Sequence, residues 1–139
     1  MSTRATYQFK NLIGEKFTVY IHHDGYPEGA SMYLYNSCQG EPSDCNVNTF
    51  IRANKKAELT GSHESHGDTE YRYNIWIDDM TKTKMIEGYK REIPVINGVY
   101  QKPQWVTIYF GELIQFMRQH DFLITAAPNQ LLQETHNGR

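Results

Sequence analysis

Apolar and polar residues alternate along three stretches of the chain. Ala5, Tyr7 and Phe9 alternate with Thr6, Gln8 and Lys10, and Phe17, Val19 and Ile21 alternate with Thr18, Tyr20 and His22. Tyr71, Tyr73, Ile75 and Ile77 alternate with Arg72, Asn74 and Trp76. A period of two sends successive side chains to opposite faces of a strand, so each stretch predicts a strand whose more apolar set faces a core. The first two are joined by Asn11 to Lys16, with Gly14 inside, and predict an antiparallel hairpin. Thr83 to Arg91 reads as a further strand, and Trp105 to Tyr109 as a short strand or a lead-in to the next helix. Ile93-Pro94-Val95-Ile96 followed by Asn97-Gly98 predicts an extended edge segment and a turn.

Helical spacing appears elsewhere. Asp24-Gly25 is turn chemistry, and Pro27 suits a first helical position, where its missing N–H costs nothing. The helix it opens is predicted to reach about Ser37, with Ala30, Tyr33, Leu34 and Cys38 on one face. After a loop over Gly40 to Asp44, Asn46 is placed to cap a second helix carrying Val47, Phe50, Ile51 and Asn54. Leu113, Phe116, Met117 and His120 predict a third over Glu112 to His120. Thr60 to Asp68 holds Gly61 and Gly67 and almost no apolar residue, and reads as a surface loop. Phe122 to Ala127 fits more than one state, and the polar segment from Pro128 reads as a frayed tail. The order ββαα, two or three strands, α predicts an α+β fold with a mainly antiparallel sheet. The expected division is one compact domain over 1–127 with a tail over 128–139.

Composition narrows the function classes. The chain has 139 residues, 39% hydrophobic and 22% charged, which suits one globular domain with a real core. With 14 basic and 16 acidic residues the formal net charge is -2, so no overall basic excess drives nucleic-acid binding. No apolar leader follows Met1, no run is long enough to span a bilayer, and Cys38 and Cys45 form no CxxC pattern. The expectation is a cytoplasmic protein with both thiols free, no cofactor and no membrane association.

The densest polar chemistry lies in His22-His23-Asp24-Gly25-Tyr26-Pro27-Glu28. It falls at a strand end beside a helix start, where ligand sites often form. The plainer reading is that Asp24 closes the turn and the histidines are polar residues leaving a sheet. Three chemistries are open. His22, His23 and Asp24 with His63 and His66, and Asp68 nearby, are ligand types that suit a metal activating water against a phosphoester. His63-Glu64-Ser65-His66 is not HExxH, however, and a solvated loop explains it as well. Acid–base work by the histidines with Asp24, Tyr26 and Glu28 lacks an evident nucleophile. The third is recognition. Tyr20, Tyr26, Tyr33, Tyr35, Arg72, Trp76, Tyr89, Tyr100, Trp105 and Tyr109 exceed what a small core needs, and Tyr, Trp and Arg are residue types that anchor interfaces. Sheets also favour Tyr and Trp for their own packing. The leading binding set is His22, His23, Asp24, Tyr26, Glu28, Arg72 and Trp76.

The opening Met1 to Tyr7, the segment His22-His23-Asp24-Gly25-Tyr26-Pro27-Glu28-Gly29 and the segment His66 to Tyr73 resemble small proteins of no assigned activity carried by phages, prophages and other mobile elements. The resemblance covers roughly the first 75 residues. It brings no catalytic residue with it. It implies an accessory protein acting in a bacterial cytoplasm on a host or element component, with counter-defence as one such role. The expectation is therefore a binding protein for a host protein or a small nucleotide-like ligand, with a small metal-dependent phosphoester hydrolase as the alternative. A homodimer is a further expectation, because an exposed sheet edge can pair with its own copy.

Overall fold

The hairpin forms as its alternation predicts. In a computed structural model describing residues 2–121, β1 (Ala5–Lys10) pairs antiparallel with β2 (Lys16–Ile21), with Ala5 opposite Ile21. The readings for 122–127 and for the tail over 128–139 lie outside the described residues. Asn11 shapes the hairpin turn: its side-chain oxygen accepts from the backbone N–H groups of Ile13 and Glu15, and Gly14 supplies the positive φ. The chain then runs through α1 (Pro27–Cys38), α2 (Val47–Ala53), β3 (Glu58–Thr60), β4 (Tyr71–Ile77) and β5 (Lys84–Glu92). A small hairpin of β6 (Val95–Ile96) and β7 (Val99–Tyr100) follows, turned by Asn97-Gly98, both with positive φ, as that dipeptide predicts. Last come β8 (Gln104–Glu112) and α3 (Leu113–Gln119).

The main sheet has the order β3-β2-β1-β4-β5-β8. Its pairings are antiparallel except for β1 with β4, where Ala5 lies beside Tyr71. The result is the single α+β domain that the pattern predicts. All three helices cover one face. There Tyr7, Val19, Ile21, Tyr73, Ile75 and Ile86 are buried against Ala30, Leu34, Phe50, Leu113 and Phe116. Tyr7 stacks on Tyr73 at 5.2 Å and packs on Phe50 at 4.9 Å. α2 is held by the predicted cap: the Asn46 side chain accepts from the Thr49 N–H, and the Thr49 hydroxyl accepts from the Asn46 N–H.

Two expectations are corrected. Thr60 to Asp68 is not simply a surface loop. It begins in β3, contains one 3-10 turn (His63–Ser65), and buries His63, with Thr69 buried just beyond it. The reason is topological. β3 lies outside β2, whereas β4 lies beyond β1, so the connection must cross two strands. It crosses the helix-free face, where His63 hydrogen-bonds to Thr6 and Asn74. Thr18 and Tyr20, on that same face, are consequently buried as well. The second correction is β8, a nine-residue strand rather than a short one; a bulge at Ile108 breaks its register with β5, since Gly88 faces Tyr109 while Tyr89 faces Thr107.

Candidate functional site

The His22–Glu28 turn is tied inward at nearly every residue. Gly25 lies against Ala5, so close that a Cβ would meet the Ala5 methyl at 2.6 Å, and its N–H donates to the Thr3 carbonyl. Asp24 adopts φ 56° and accepts from the Tyr26 hydroxyl at 3.2 Å. The carbonyls of His23 and Gly25 accept from the hydroxyls of Tyr33 and Tyr73, at 3.0 and 2.7 Å. His23 contacts the Ser2 hydroxyl at 3.1 Å, His22 pairs with Glu58 at 2.9 Å, and Glu28 lies 3.5 Å from His120. Pro27 sits at the helix start, as predicted. Tyr33 and Tyr73 thus have a double role: their rings pack in or against the core and their hydroxyls hold the turn.

The crossing segment is polar and anchored. The His63 Nε2–H donates to Asn74 Oδ1 at 2.7 Å, since the Asn74 amide nitrogen itself donates to Glu87 at 3.0 Å. The other ring nitrogen then accepts from the Thr6 hydroxyl at 2.7 Å. This tautomer is neutral, and burial pushes the His63 imidazole below its ordinary value. Further along, the His66 ring stacks on Tyr20 at 3.7 Å and its Nε2 meets the Thr60 hydroxyl at 2.9 Å. The Tyr20 hydroxyl donates to Asp68, which also lies 3.1 Å from Arg4 Nε. Burial, and then that carboxylate, push the Tyr20 phenol up to about 12.

Among the described residues no helix or crossing segment covers the rest of this face. Arg72 pairs with Glu64 of the crossing segment at 3.2 Å and lays its guanidinium over the Trp105 ring at 4.0 Å. Toward the other end of the same face, Trp76 meets Phe110 at 5.8 Å. Around Trp76 and Phe110 lies a shallow depression of about 240 Å³, also lined by Gln8, Lys10, Lys16, Asn74 and Glu87. Phe110 is 64% exposed. Among the described residues β8 is the outermost strand, and its exposed Val106 and Ile108 lie on the other side of the sheet, Val106 in register with Lys90 and Ile108 near Gly88.

The structure therefore divides the predicted residues. His22, His23, Asp24, Tyr26 and Glu28 gather at the turn following Ile21, whereas Trp76 pairs with Met85 at the opposite end of the strands, with Arg72 between. The crossing segment does fold over the hairpin, yet both ring nitrogens of His63 are engaged and His66 packs on Tyr20. Among the described residues no group of three or more His, Cys, Asp or Glu side chains is arranged to hold a metal ion. The chain from Thr6 through His63 and Asn74 to Glu87 passes through a carboxamide, which holds its neighbours in place rather than relaying a proton. Phe110 was not legible as part of a site, because its exposure depends on β8 lying at the sheet edge. No protein-family model, curated protein or solved structure matches this chain. No helix among the described residues is long and apolar enough to cross a membrane.

Proposed function

We propose that this is a non-catalytic binding protein that holds a protein partner on the open part of its sheet. The observation that carries the reading is the contact of exposed Phe110 with half-buried Trp76 on the same face as the Arg72–Trp105 pair, with Phe110 on the outermost strand among the described residues. An edge offers backbone N–H and C=O groups to an extended segment of a partner, and the flanking aromatics supply the anchoring area. The half of the face under the crossing segment is already occupied by internal hydrogen bonds. The resemblance to mobile-element proteins supports an accessory role, with a bacterial host protein as the partner class and counter-defence as one purpose.

The test is capture from host lysate by the full chain, compared with Trp76→Ala and Phe110→Ser. A partner held by the parent chain and lost by both variants, with unchanged circular dichroism, is the expected result. Because Phe110 is mostly exposed, its replacement should change stability by no more than about 0.5 kcal/mol. Identical capture by all three chains would overturn the proposal, as would a stable homodimer that buries this edge against a second copy.

A further inference from the structure

On the helix-bearing side the sheet and α2 part at one end into a groove of about 720 Å³, within the range of small-molecule sites. Its walls are mainly aliphatic, with Val47 and Ile51 of α2, Leu59 of β3, and Ile75 and Ile77 of β4, and they include the rings of Phe9 and Phe17. The hairpin tip adds Leu12 and Ile13, which are 64% and 82% exposed and so remain uncovered in this structure.

The charge of the lining is one-sided. Lys10 and Lys84 line the groove and no Asp or Glu does, in a chain with 16 acidic and 14 basic residues. Lys84 is half-buried, beside Ile77 on the neighbouring strand. Among the described residues its ammonium makes no ion pair. The titratable groups that face it are the thiols of Cys45, which also lines the groove, and Cys38. Burial lowers the Lys84 ammonium from its ordinary value, as expected for a cation that has lost water and gained no anion.

We propose that this groove binds a small anionic amphiphile, its aliphatic chain along the wall formed by α2, β3 and β4 and its anionic head on Lys84. Lys84 is the half-buried one of the two lysines, Lys10 being exposed, and so calls for one anionic head, while the mainly aliphatic walls suit a hydrocarbon chain.

The probes are octanoate and 1-octanol, which share a chain length and differ in charge, titrated separately into the isotopically labelled full chain and followed by amide NMR. Octanoate is expected to shift the amides of Val47, Ile51, Leu59 and Ile77 saturably and to bind more tightly than 1-octanol. Lys84→Met should weaken octanoate about ten-fold, the strength of a charge-assisted contact, while leaving 1-octanol within about two-fold. Asn48→Asp adds a negative charge at the exposed rim without touching the core, and should weaken octanoate two- to three-fold, roughly the effect of one screened charge. Equal affinity for the two probes would overturn the proposal, as would an indifferent Lys84→Met. So would shifts confined to the open aromatic face, or amides of residues 122–139 responding with the groove as though that segment already filled it.

Discussion

At the scale of single residues, tyrosine hydroxyls separate two kinds of buried position. Tyr73 donates to the Gly25 carbonyl, while the Tyr7 hydroxyl is buried with no hydrogen-bond partner among the described residues. Burial raises both phenols well above their ordinary value, so both stay protonated across the neutral range. Tyr73→Phe should cost about 1–2 kcal/mol, because it strips a buried carbonyl of its donor, whereas Tyr7→Phe should be neutral or stabilising by up to about 1 kcal/mol. Urea unfolding of the two variants checks this, and equal losses would contradict it. His63 gives a pH signature. Its native value lies below the ordinary 6.5. Between those two values the unfolded chain binds a proton that the folded chain does not. Stability therefore falls as pH drops through that window, by at most about 1.4 kcal/mol per pH unit, and is untouched by this group above 6.5. His63→Gln should flatten the decline between pH 7 and 5; parallel curves for both chains would refute the assignment.

At the scale of elements, two glycines give contrasting expectations. A Cβ on Gly29 would lie 1.9 Å from the Asp24 carbonyl oxygen, whereas one on Gly67 would meet nothing within 4 Å. Gly29→Ala should therefore destabilise by about 2–3 kcal/mol by forcing the turn away from α1, and Gly67→Ala by less than about 0.5 kcal/mol, as thermal melts would show. The sequence pattern made β1, β2, β4 and α2 legible because each depends on local signals: alternation for the strands, and Asn46 with Thr49 for the helix cap. It concealed β3, three residues long, and the crossing segment, whose burial rests on hydrogen bonds from His63 and Thr60 rather than on apolar content. Hydrophobic periodicity carries no trace of a polar segment that is buried by being bonded. The extent of β8 escaped for the converse reason. As an edge strand with exposed apolar residues it lacks a clean inside and outside.

At the scale of the molecule, the sheet presents two unlike ends and two unlike faces. The His22–Glu28 turn closes one end with internal bonds that join α1 to the sheet. The aromatic patch and the groove under α2 meet at Lys10, which lines both, so substitutions at Phe110 and at Lys84, which each line one alone, separate the two. The parallel pairing of β1 with β4 has a consequence in time as well as space. The hairpin with its helices, and the β4–β5–β8 meander, each zip from neighbours near in sequence. The seam between Ala5 and Tyr71 instead joins residues separated by most of the first half of the chain. Closing a loop of that length is slow. The centre of the sheet is thus the natural bottleneck of folding, and two half-molecules divided within the crossing segment would still carry matching edges with which to find each other.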